Sequence, residues 1–148
     1  MSAEQACKEA EIVTDPIYLF PKGIPGFEGL QDFRLQEHND IFTLLTAVDQ
    51  PSVAFITVNP FDFISDYEFV LPEEAIQDIE VQDREQIIIR CIVTWHSDKS
   101  KITVNLLAPL IFNTDTHKGK QIILQSTVYT TKYPLWTEIA KGNEGGDF

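Results

Sequence analysis

The sequence predicts a mainly β fold, a small antiparallel β-barrel with one or two short helices. Three observations lead there. Short apolar runs recur along the chain, each closed by turn residues. Two of them, at 41–48 and 53–58, are separated only by Asp49-Gln50-Pro51-Ser52, a break that suits an antiparallel hairpin. One segment, 72–79, carries the signals of a real helix. With 148 residues the chain makes one domain large enough for a core, and no internal repeat is visible.

Residues 1–16 read as a polar extension, in which Ala3, Ala6 and Ala10 would allow only a weak, unanchored helix. The folded domain is expected over 17–136. Ile17-Tyr18-Leu19-Phe20 runs extended into Phe20-Pro21-Lys22-Gly23-Ile24-Pro25-Gly26-Phe27-Glu28. Pro21 and Gly23 fit a type I turn, and Pro25-Gly26 the centre of a type II turn with positive φ at Gly26. Phe20, Ile24, Phe27 and Leu30 can pin this double turn to a core. Phe33 and Leu35 share one face of a short strand.

In the hairpin's second strand both faces are largely apolar, as in a strand closed into a barrel or covered by another element. Asn59-Pro60 then offers an N-cap and a proline at the first helical position, enough for a single helical turn. Segment 66–71 alternates cleanly, Tyr67, Phe69 and Leu71 against Asp66, Glu68 and Val70, and predicts a strand with one polar face. Segment 72–79 is the helix: proline at its start, acids in its first turn, and Ala75, Ile76 and Ile79 to bury. Segment 87–95 predicts a strand paired with 102–107 across the polar loop 96–101. Pro109 marks a kink or edge position. A turn centred on Lys118-Gly119 and a last strong strand at 121–124 follow. Residues 137–148 read as an acidic, glycine-rich tail.

Acidic residues number 23 against 11 basic ones, a formal net charge of -12. Such a surface repels phosphates and disfavours direct nucleic-acid binding, while it favours basic partners. The N-terminus lacks the apolar core of a secretory signal, and no run reaches membrane-spanning length. Cys7 and Cys91 form neither a disulfide framework nor a metal motif, so a cytoplasmic protein is expected. His38, His96 and His117 fall in predicted loops without ligand spacing, and no nucleophile elbow or phosphate loop occurs. The expectation is a chain without cofactor, metal or catalytic residues. Charge does concentrate: Asp66, Glu68, Glu73, Glu74, Asp78, Glu80, Asp83 and Glu85 lie in a span with a single base, Arg84. A solvated face and an acidic face for a basic protein explain that span equally well.

Four spaced segments carry a resemblance. They are the opening double turn; Asn59-Pro60-Phe61 with Asp66-Tyr67-Glu68 and Leu71-Pro72; Asn105 to Asn113 around Pro109; and Tyr129 to Leu135. Together they resemble the flagellar assembly factor FliW family. The resemblance implies a non-enzymatic cytoplasmic protein that binds newly made flagellin and also captures the translational repressor CsrA, lifting repression of flagellin synthesis. Contacts would then fall on Asn59, Phe61, Asp66, Glu68, Glu73 and Glu74, with Asn105 behind them, on a monomer. The extension and the tail depart from the family's pattern. The alternative from another class is a small β-barrel that binds a metabolite or acts as a hydrolase.

Overall fold

The structure is a computed structural model and describes residues 15–125 and 127–136. The expectations for the N-terminal extension, Cys7 and the tail from 137 lie outside the described residues. Nine strands are present among those described: β1 (Ile17–Leu19), β2 (Asp32–Glu37), β3 (Phe42–Ala47), β4 (Ala54–Val58), β5 (Ile87–Thr94), β6 (Thr103–Val104), β7 (Leu110–Asn113), β8 (Lys118–Gln121) and β9 (Tyr133–Pro134). One α-helix, α1 (Glu73–Asp78), lies between β4 and β5. Neighbours run β4-β3-β2-β1-β8-β7-β5, and β5 pairs back onto β4, so seven strands close a ring. The barrel is mixed, because β1 meets β8 in parallel at Leu19 and Lys118 while its other seams are antiparallel. β6 and β9 extend from the far end of β5.

Closure explains why the strands are apolar on both sides. Tyr18, Phe20, Phe33, Leu35, Leu45, Ala47, Leu110 and Phe112 come from strands around the ring and from the start of the opening turn, and fill its interior. Within that interior the Thr43 and Thr57 hydroxyls, a cross-strand pair, hydrogen-bond each other. Val58, Cys91, Val93 and Ile111 face outward into a second core. That core is roofed by Tyr67, by Ala75 of α1 and Ile79 at its C-terminal cap, and by Leu124 and Leu135.

The opening turn forms as expected and gains a third member. Gly23 N–H donates to Phe20 O, Phe27 N–H to Ile24 O and Leu30 N–H to Phe27 O, at 2.9, 2.7 and 3.0 Å. Gly26 has φ 92°, as the second central position of a type II turn requires. Phe20, Ile24 and Phe33 are buried and Leu30 is half-buried. The Phe27 side chain is exposed, its ring edge-on against Phe55.

Two expectations need correcting. Segment 66–71 keeps its alternation, with Tyr67 buried and Glu68 and Val70 exposed, but joins no ladder. A cleft separates it from the backbone of 123–125, so side chains anchor the segment instead: Tyr67 Oη donates to Leu106 O at 2.7 Å. The last ring strand lies at Lys118–Gln121 rather than 121–124, and the turn precedes it. Asn113 Oδ1 accepts from the Asp115 and Thr116 amides, and His117 takes φ 58°. Gly119 belongs inside the strand because the Phe20 ring occupies the space of a side chain: a Cβ there would lie 2.7 Å from it. The kink at Pro109 is present, as Asn105 Oδ1 gathers the Leu107 and Ala108 amides between β6 and β7.

Candidate protein-binding face

The chain from Asn59 to α1 builds one side of the outer core. Asn59 caps a single 3-10 turn, Pro60–Asp62, by accepting from the Phe61 amide at 3.0 Å. The cap turns Phe61 outward: it is 42% exposed, its ring edge-on to Tyr67 at 5.7 Å. The extended stretch after Tyr67 then leads into α1. Pro72 is the N-cap residue rather than the first helical one, so Glu73 and Glu74 occupy the first turn, where carboxylates suit the helix dipole.

The end of α1 is fixed by a Schellman motif. Val81 N–H returns to Ile76 O at 2.9 Å and Glu80 N–H to Gln77 O at 3.3 Å, with Glu80 at φ 57° where glycine is usual. Two groups of the barrel hold this cap. Asn113, fully buried, donates to Ile79 O and Glu80 O, and Lys118 pairs with the Glu80 carboxylate at 2.9 Å. Asp78 lies between Lys120 at 3.0 Å and Lys22 at 3.3 Å, and Lys22 also reaches Glu74 at 3.2 Å. The Lys120 ammonium, with Lys22 behind it, holds the Asp78 carboxyl below the usual carboxylate range against a smaller opposing effect of burial. The opening turn and β8 are thereby clasped to the helix.

Between these elements lies an apolar groove of about 710 Å³ on the outside of the barrel. Its walls include Phe61, Phe69, Leu71, Ile76, Val81 and Ile89, with Glu68, Asp83 and Arg84 among its charged members. Of the residues expected to make contacts, Phe61 and Glu68 line this groove, and Asp66, Glu73 and Glu74 are exposed on the stretch beside it. Asn59 and Asn105 do not line the groove. Their side-chain oxygens are engaged in capping and in the Pro109 kink.

Sequence reasoning missed Val70, Ile123 and Val128, which are 88%, 61% and 89% exposed. The one available signal was Val70, an apolar residue on the polar side of the 66–71 alternation. Among the described residues no group of three or more His, Cys, Asp or Glu is placed to hold a metal ion. His96 accepts from the Asp98 amide, and the His117 ring lies 5.3 Å from Tyr18. No described helix is long and apolar enough to cross a membrane.

A filled barrel with an apolar groove and exposed carboxylates on its outer face has the make-up of a docking module. The family model of the FliW protein matches residues 2–135. The chain is 42% identical over 128 residues to a flagellar assembly factor FliW of Clostridium botulinum, covering 85% of this chain and 89% of the relative. It is 36% identical over 132 residues to the factor of the same name from Caldicellulosiruptor saccharolyticus, covering 88% and 87%. A crystal structure of the flagellar assembly factor FliW superimposes with a TM-score of 0.77 at 31% identity, over 80% of this chain and 84% of that one. This chain belongs to the FliW family.

Proposed function

We propose that this chain is a cytoplasmic flagellar assembly factor that acts by binding alone. As a monomer it holds flagellin, and it sequesters the translational repressor CsrA, so that flagellin translation is released when flagellin leaves. The observation that carries the reading is the match to the FliW family over nearly the whole described domain. The exposed carboxylates Asp66, Glu68 and Glu73 beside an apolar groove support it, since an RNA-binding repressor presents basic groups. The small-molecule alternative has less support, because the barrel interior is packed with aromatic and aliphatic side chains. The test is co-purification from cells of the source organism. Flagellin and CsrA are expected to accompany the tagged chain, and recovery of neither would overturn the proposal.

A further inference from the structure

Beyond β8 the chain continues as an extended edge. Ile122 N–H donates to Pro109 O at 3.1 Å and Leu124 N–H to Leu107 O at 2.9 Å. Strand geometry then turns the amide and carbonyl groups of Ile123 and Gln125 the opposite way. Among the described residues neither of these has a backbone partner. Facing this edge across a cleft of about 380 Å³ is the extended stretch 68–71. Its only backbone hydrogen bond among the described residues runs from Glu68 N–H to Tyr129 Oη, at 3.0 Å.

Two stretches of backbone without a ladder partner among the described residues thus border one cleft, with Phe69, Val70, Ile123 and Leu124 among its apolar members. Natural proteins blunt such edges with lysine, proline or a bulge. Here the outward position is Ile123, and none of the cleft's described members is a lysine or arginine. Its one charged member is Glu68, exposed and without an ion pair among the described residues.

We propose that this cleft accepts an extended segment of a partner protein as an added strand on the 122–125 edge, a segment alternating apolar and basic side chains. The backbone of Ile123 and Gln125 supplies the ladder. Apolar side chains of the guest pack on Phe69 and Val70, and its cations meet Glu68 within an acidic surface. This is strand addition at an exposed sheet edge, with hydrogen bonds giving affinity and alternate side chains giving selectivity. The proposal concerns backbone recognition and holds whichever protein supplies the strand.

Amide exchange by NMR on the full chain tests it, with a blocked hexapeptide of alternating lysine and valine as the probe. In the free protein the Ile123 and Gln125 amides are expected to exchange quickly while Ile122 and Leu124 are protected. Saturating peptide should slow Ile123 and Gln125 by at least about tenfold and shift the resonances of 68–70. A peptide with alternate backbone amides methylated, or with glutamate for lysine, should not do so. Glu68→Gln should weaken the lysine peptide by about threefold, the scale of an exposed charge. Protection of Ile123 and Gln125 in the dilute free protein would overturn the proposal, because the edge would already be covered. Binding of the methylated peptide as tight as its parent, or shifts confined to another face, would overturn it equally.

Discussion

Gly23 and Gly26 separate two costs of a side chain in the opening turn. Both have positive φ, at 69° and 92°. A Cβ on Gly26 meets nothing within 4 Å, whereas one on Gly23 would lie 2.7 Å from the Glu28 Cα. Gly26→Ala should therefore cost only backbone strain, about 1 kcal/mol, and Gly23→Ala roughly 2–3 kcal/mol, read from urea denaturation. Equal losses would show that the turn is not packed as described. Positive φ at Gly26 was legible from Pro25-Gly26 alone, but the closeness of Gly23 to Glu28 depends on the third turn, which no residue preference announced. Cys91 is a second case. Burial pushes its thiol up to about 12, and its Sγ lies 4.0 Å from the Tyr67 hydroxyl. The native chain should resist alkylation at Cys91 at pH 8 until it is unfolded, checked by mass spectrometry of the Cys91 peptide. Rapid native labelling would contradict a closed outer core.

Helix α1 is short, and its position rests on side chains that sequence patterning does not reveal. Its apolar residues and acidic first turn were readable, but nothing in the sequence around Asn113 announced that it anchors the helix terminus. Asn113→Ala would take a donor from the Ile79 and Glu80 carbonyls, leaving Ile79 O to Thr116 Oγ1, and loosen the Asp115 turn, so a loss of roughly 2–3 kcal/mol in chemical denaturation is expected. A loss well under 1 kcal/mol would place the anchor elsewhere. The Asp78 clasp makes a prediction with a sign in pH. Its carboxyl titrates below the unfolded value of 3.8 because of Lys120 and Lys22, so its contribution is fully present above that value and fades as pH falls through the lowered folded one. Asp78→Asn should cost roughly 1 kcal/mol at neutral pH, about 2–4 °C in Tm, with the gap to the parent closing below about pH 4. A gap independent of pH would exclude the ion pairs as its source. The segment 66–71 fails in the other direction: its alternation is real, yet a period of two reports which side chains are buried, not whether a neighbouring edge exists to bond.

Across the whole molecule, the barrel was legible because closing a ring demands apolar residues on strand faces that an open sheet would leave polar. The parallel β1–β8 seam was not, since a single cross-strand pair at Leu19 leaves no pattern in sequence. The acidic span was visible as charge, but only the fold divides it. Asp78, Glu80 and Glu74 are engaged by Lys22, Lys118 and Lys120, while Glu68 and Glu73 form no ion pair among the described residues. The charges left without an ion pair among the described residues are thus Asp66, Glu68, Glu73, Asp83 and Glu85 rather than the run as a whole, and of these Glu68 and Glu73 flank the stretch 68–73. Exposed charges act over about 8 Å at physiological ionic strength, and they act chiefly on encounter. The most direct measurement is the association rate of purified CsrA with this chain and with Glu68→Gln/Glu73→Gln, followed from about 50 mM to about 500 mM salt. The rate for the parent should fall steeply with salt while dissociation changes little, and the double variant should start slower, by an amount worth about 1 kcal/mol, and fall less. Association equally fast at both salt concentrations and unchanged in the variant would remove the acidic face from recognition.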